Sequence, residues 1–117
     1  MRYKCVTSEE VLREAALGDV GMIGRRAEAL AGMTVLLVDD TARGLAREIL
    51  SEKILPPAAA SDAIHAAVAS LNQVNILLTW NCRHLANPHL LRRLRELVAR
   101  RALTLPEVCT PIELAAE

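Results

Sequence analysis

The stretch "SDAIHAAVASLNQVNILLTWNCRH", Ser61 to His84, decides the fold. It begins as an alanine-rich helix with Asp62 in the first turn, where the positive end of the helix favours a carboxylate. "NILLT", Asn75 to Thr79, then forms a short continuous apolar run with no polar alternation. That pattern is expected of a strand covered on both faces in a parallel sheet. A helix that feeds directly into such a strand is one unit of an α/β fold, and the rest of the chain repeats the alternation.

Upstream, "TSEEVLREAALGD" opens with a capping pattern in which Thr7 or Ser8 accepts from the first helical N–H groups, flanked by Glu10. Val11, Leu12, Ala15 and Ala16 carry helical spacing to Gly18. A second helix is expected over Val20 to Leu30, closed by Gly32. "TVLLV", Thr34 to Val38, is a second apolar run, expected as another strand buried on both faces. Asp39 or Asp40 caps a helix to about Ser51, and Pro56 and Pro57 lead into the Asp62 helix. After Pro88, Leu90, Leu91, Leu94, Leu97 and Val98 recur at helical spacing. "EVCT" is a candidate last strand and "PIELAAE" a short terminal helix. The fold class expected is therefore α/β, with a small, mostly parallel sheet flanked by helices, in a single domain over residues 1–117. Three or four short strands make a thin sheet, so a central element is missing or a partner chain supplies it.

Composition narrows the classes. Hydrophobic residues make up 52% of the 117, yet Phe is absent and Trp80 and Tyr3 are the aromatics, so aliphatic residues must build the core. Fourteen basic residues balance fourteen acidic ones, and bulk charge selects no partner. Cys5, Cys82 and Cys109 are widely spaced with no CxxC pair, which fits reduced thiols and speaks against a zinc site or disulfide framework. No apolar run approaches the roughly 20 residues of a membrane span, and "MRYKCVTSEE" has no apolar signal region. A cytoplasmic, non-membrane protein is expected. Neither GxGxxG nor GxxxxGK[ST] occurs, which removes nucleotide binding through a glycine cradle.

The residues with chemical potential cluster around the opening stretch. Asp62, His65, Ala66 and Ala69 share one helical face, and Ile64, Val68 and Leu71 form the expected core stripe. Asn81 follows the tip of the "NILLT" strand, where open α/β sheets collect ligands. Glu14 is a second carboxylate among apolar neighbours. Two carboxylates and an amide oxygen are hard donors suited to Mg²⁺ or Mn²⁺. The plain alternative for Asp62 is a helix-end charge. His65 either touches substrate or is a satisfied structural histidine, and Trp80 either stacks on a base or packs. Arg83, Arg92, Arg93, Arg95, Arg100 and Arg101 give a local basic excess that suits phosphate contact. A solvated helix face, with Arg92 and Glu96 paired one turn apart, explains several of them equally well. His84 and His89 flank an Asn-Pro turn and read as surface residues.

"SEEVLREAALGD", "AAASDAIHAAVA" and "NILLTWNCRHLAN" together resemble PIN-domain proteins of the VapC-like toxin branch, over about Tyr3 to Leu114. The resemblance implies a three-layer α/β/α domain that cleaves RNA with acidic residues holding Mg²⁺ or Mn²⁺. Asp62 matches the central aspartate of that family, and Glu14 its helix-borne glutamate, with Glu10 the second choice. Asn81 stands where the family has a late acidic residue. Arg83, Trp80 and His65 become RNA-binding candidates. Implied partners are an RNA substrate, a cognate antitoxin protein and a second copy of the chain. The family opens with a strand ending in aspartate and two helices, so the implied fold is N-terminally truncated, with the absent strand central in the sheet. Two functions follow as expectations. One is a toxin-type metal-dependent ribonuclease with an impaired site. The other is a catalytically inactive PIN-like remnant that binds RNA or protein, or dimerises.

Overall fold

The computed structural model describes residues 6–17, 21, 24, 28, 31–78 and 87–109. Among the described residues the elements run in the order β1 (Val6–Ser8), α1 (Glu9–Ala15), β2 (Thr34–Leu36), α2 (Asp40–Ser51), α3 (Ala60–Leu71), β3 (Ile76–Leu78), α4 (Pro88–Ala99) and β4 (Glu107–Cys109). The α/β class expected from the alternation is thus present, and among the described residues the strands pair in parallel as β1–β2 and β3–β4 rather than in one sheet. In the first, Val6, Thr7 and Ser8 face Thr34, Val35 and Leu36; in the second, Ile76, Leu77 and Leu78 face Glu107, Val108 and Cys109.

Each helix starts for a local chemical reason. The Ser8 hydroxyl accepts from Val11 N–H at 3.2 Å, and the Asp39 carboxylate accepts from Ala42 N–H at 2.8 Å. Asn87 caps α4 by accepting from His89 and Leu90 N–H, with Pro88 in the first helical turn. α3 has no side-chain cap and is entered through a 3₁₀ turn, Pro57–Ala59. The α2 and α4 boundaries match the sequence expectation closely. α1 ends at Ala15, earlier than the expected Gly18. Gly21, Gly24 and Glu28 are helical, in line with the helix expected there.

The helices α2, α3 and α4 enclose the main core. Leu45, Ile49, Leu55, Leu94, Leu97 and Val98 are its largest fully buried side chains, and Leu77 and Val108 bring the β3–β4 pair against it. A smaller cluster of Val38, Ala42 and Val68 receives Leu36 from β2. Two expectations about burial need correction. α3 buries Ala63, Ala66, Ala67, Val68, Ala69 and Ser70, so its contact surface is broader than the Ile64, Val68 and Leu71 stripe. Small side chains let α2 pack closely along it, and these two helices make the most extensive contact among the elements. The "TVLLV" strand is not covered on both faces: Val35 is 40% and Leu37 65% exposed. Among the described residues β2 pairs with β1 and packs through its Leu36 side, and the opposite side of the run, Val35 and Leu37, is exposed.

Three helices end in the same turn. Ile54, Val74 and Leu103 N–H donate back to the carbonyls of Ile49, Ala69 and Val98, closing α2, α3 and α4. The residue before each donor is left-handed: Lys53 (φ 58°), Gln73 (φ 55°) and Ala102 (φ 59°). Glycine is the residue that takes this conformation without a Cβ penalty. Ala102→Gly is therefore expected to raise the unfolding free energy by about 0.5–1 kcal/mol, net of the extra freedom of the unfolded chain. Urea melts check this; a loss of stability would mean that the turn at Ala102 is not left-handed.

Candidate functional site

The site lies where α1 meets the first two turns of α3, beyond the end of β1. Ser8 ends β1 and starts α1, so the acidic run Glu9, Glu10 and Glu14 is delivered directly from the strand tip. Glu9 Oε1 accepts from Val38 N–H at 2.6 Å, which ties α1 to the chain leaving β2.

Glu10 is 5% exposed, and it is the most constrained acidic group described here. Arg13 grips it with two parallel bonds, Nε to Oε1 at 3.0 Å and Nη2 to Oε2 at 2.5 Å. The Ser61 hydroxyl also donates to Oε2, and Arg13 Nη2 reaches the Ser61 oxygen at 3.0 Å. The Arg13 hydrogen bonds hold the Glu10 carboxyl below its ordinary pKa of 4.5. Burial opposes them, and Ser61 and the charges of Arg13 and His65 add to the lowering. Such a fork-to-fork pair satisfies most of the carboxylate's lone pairs. Glu10, expected from the sequence beside the capping segment and as the second choice for the helix-borne glutamate, sends its side chain to Arg13 and across to Ser61 on α3.

Glu14, one helical turn on, is more open. Its Oε1 accepts from His65 Nε2 at 2.8 Å, with the glutamate side chain 42% and the histidine 14% exposed. Asp62 is half-buried in the first turn of α3, three residues before His65 and therefore on the same helical face. Of the sequence candidates, then, Glu14 and His65 are in direct contact, and Asp62 neighbours them along α3. Asn81, Trp80 and Arg83 lie outside the described residues, as do His84, Cys5 and Cys82. Ser61 and Arg13 were missed. Ser61 is 51 residues from Glu10, and only packing reveals that the two meet.

The donors suit Mg²⁺ or Mn²⁺ in kind but not in number. Among the described residues, no group of three or more His, Cys, Asp or Glu side chains could hold a metal ion. Glu10 is already engaged by Arg13 and Ser61, and Glu14 is shared with His65. A complete divalent site at this junction needs a further donor.

The arginines divide sharply. Arg93 donates to the Glu52 and Lys53 carbonyls at the end of α2, Arg100 bonds Glu52 at 2.8 Å, and Arg101 pairs with Glu48 through both carboxylate oxygens. These three pin α4 to α2 and are not free for phosphate. Arg92 and Arg95 are exposed and have no hydrogen bond or ion pair among the described residues, so the Arg92–Glu96 pair expected from spacing does not form. His89 is exposed, as expected. No helix among the described residues is long and apolar enough to cross a membrane. Comparison with family models, with curated proteins and with solved structures yields no match to this chain.

Proposed function

We propose that the chain is a PIN-like ribonuclease of the VapC-like toxin branch, a three-layer α/β/α domain acting on RNA at the α1–α3 junction. The observation that supports this most is the meeting of Glu14 with His65 on the same α3 face as Asp62, beyond a parallel strand tip. Mg²⁺ or Mn²⁺ would be held by Asp62 and Glu14 together with Asn81, and would supply an activated water and neutralise charge on the phosphate. His65 orients Glu14 through its Nε2–H and keeps that carboxylate directed toward α3. Arg13 and Ser61 hold Glu10 in place, so α1 keeps its position against α3. Arg92 and Arg95, exposed and without an ion pair among the described residues, are suited to backbone phosphates, with Arg83 and Trp80 as further RNA contacts. A cognate antitoxin and a second copy are the protein partners in this reading, and the protein would be cytoplasmic.

A second reading is favoured by a specific observation: both α1 carboxylates near α3 already have protein partners. In that reading the chain is a catalytically inactive PIN-like module that binds RNA or protein, or dimerises. Exposed Leu12, Leu17, Val35 and Leu37 supply apolar surface for such contact.

The deciding experiment is cleavage of a labelled RNA by the purified chain in Mn²⁺, beside EDTA and Asp62→Asn. The ribonuclease reading expects cleavage to vanish in EDTA and to fall at least ~100-fold in Asp62→Asn, the usual scale for a lost charge-stabilising group. Wild-type activity no higher than that of Asp62→Asn would overturn it and leave the binding module.

A further inference from the structure

The segment that brings Glu14 to the candidate site is attached differently from the rest of the chain. Over residues 6–17 the buried side chains among those described are Thr7, Ser8 and Glu10, all polar. No described residue of β1 or α1 belongs to either hydrophobic cluster, and Leu12 and Leu17 are exposed. Helices in proteins are seated mainly by burying an apolar face, and α1 buries little. Its contact with α3 is slight beside the packing of α2 on α3.

Polar contacts hold α1 instead. Glu10 and Arg13 reach Ser61, Glu14 reaches His65, and Glu9 accepts from Val38 N–H. Each such bond replaces one to water, so its net gain is small. The Arg13 side chain is 59% exposed, so solvent and salt weaken its pairing. The Thr7 hydroxyl is buried with no hydrogen-bond partner among the described residues, a cost that opening relieves. α1 has seven residues, well short of the ~12–15 at which an isolated helix becomes even marginal, so once off α3 it melts. The main core loses none of its members, since its buried residues all fall within 45–105.

We propose that α1 is a detachable element, which undocks and melts while α2, α3 and α4 stay folded. The α1–α3 junction then has a closed state, with Glu14 on His65, and an open state that bares Ser61 and His65 beside Asp62. Local openings of this kind start from parts with few apolar contacts. The inference concerns how α1 is attached, and it holds whether the junction cleaves RNA, binds it or does neither.

Native-state hydrogen exchange of the full chain, followed by NMR through sub-denaturing urea, tests this. The amides of Val11, Ala16 and Val38 are all bonded to groups of the β1–α1 segment. They should share one rate, at least ~30-fold faster than Leu94, Leu97 and Val98 in α4, with a shallower urea dependence. Val38 separates opening from fraying, because its N–H meets Glu9 from outside the helix. Arg13→Glu sets a second carboxylate against buried Glu10 and should hold α1 open, its amide shifts moving to unstructured values while those of α2 and α4 keep theirs. Val38 protected as strongly as Leu97, a urea slope equal to that of the core, or an Arg13→Glu protein that unfolds throughout or keeps α1 in place would each overturn the proposal.

Discussion

Leu97→Ala should lower the unfolding free energy by about 3–4 kcal/mol, the upper part of the range for deleting a fully enclosed leucine. Leu97 is 0% exposed and sits in the cluster where α4 closes onto α2 and α3, alongside Leu45, Ile49, Leu94 and Val98. Its neighbours cannot collapse into the space. The buried α3 members of this cluster are Ala63, Ala66 and Ala67, whose methyl groups cannot extend into a cavity, and α2 is held to the end of α4 by the Arg93, Arg100 and Arg101 contacts. The cavity term therefore stays nearly whole. A domain of this size has about 5–15 kcal/mol of total stability, so one substitution removes a large fraction. The midpoint of a urea transition reports it, with the slope unchanged if the effect is on packing. A loss under about 1 kcal/mol would mean that α4 is not seated on this core.

The same core shows what local sequence could and could not convey. Leucines at helical spacing after Pro88 located α4 and its buried face, because a solvent-bounded amphipathic helix writes its orientation into every turn. Ser8 and Asp39 located two helix starts, because capping is chemistry within three residues. β1 was not expected, because "VTS" is a strand of three residues whose polar Thr7 and Ser8 are buried, and it resembles the capping segment it also serves. "TVLLV" was expected to be covered on both sides, because an apolar run is the same string whether one face or two is packed. Which arginines are free depends on where the end of α2 lies in space, 40 or more residues away along the chain. The candidate site divides along the same line. Asp62 and Glu14 were identifiable as acidic residues on helix faces, whereas the pairing of Glu14 with His65 and the sequestration of Glu10 are products of α1 packing on α3.

Glu10→Gln tests that sequestration directly, and its effect should depend on pH in one direction only. At neutral pH the substitution removes the charge that Arg13 and Ser61 surround and leaves their donors facing a single amide oxygen, for an expected cost of about 1–3 kcal/mol. The folded state holds the Glu10 carboxyl below its ordinary value of 4.5, mainly through Arg13. A carboxylate with a depressed native pKa contributes its stability in full above the unfolded value, and that contribution is lost as pH falls through the native value. The gap between wild type and Glu10→Gln should thus be constant above about pH 5 and shrink steadily as the pH drops below 4.5. Below the native pKa the carboxyl is protonated and resembles the amide, so the two curves should meet. Ser61→Ala separates the partners: it keeps the Arg13 fork, so most of the pH dependence should survive. Denaturant melts across this range measure all three proteins. A gap that persists unchanged in acid would assign the cost to lost packing rather than to the buried charge, and α1 would then be held against α3 by its apolar contacts and not by Glu10.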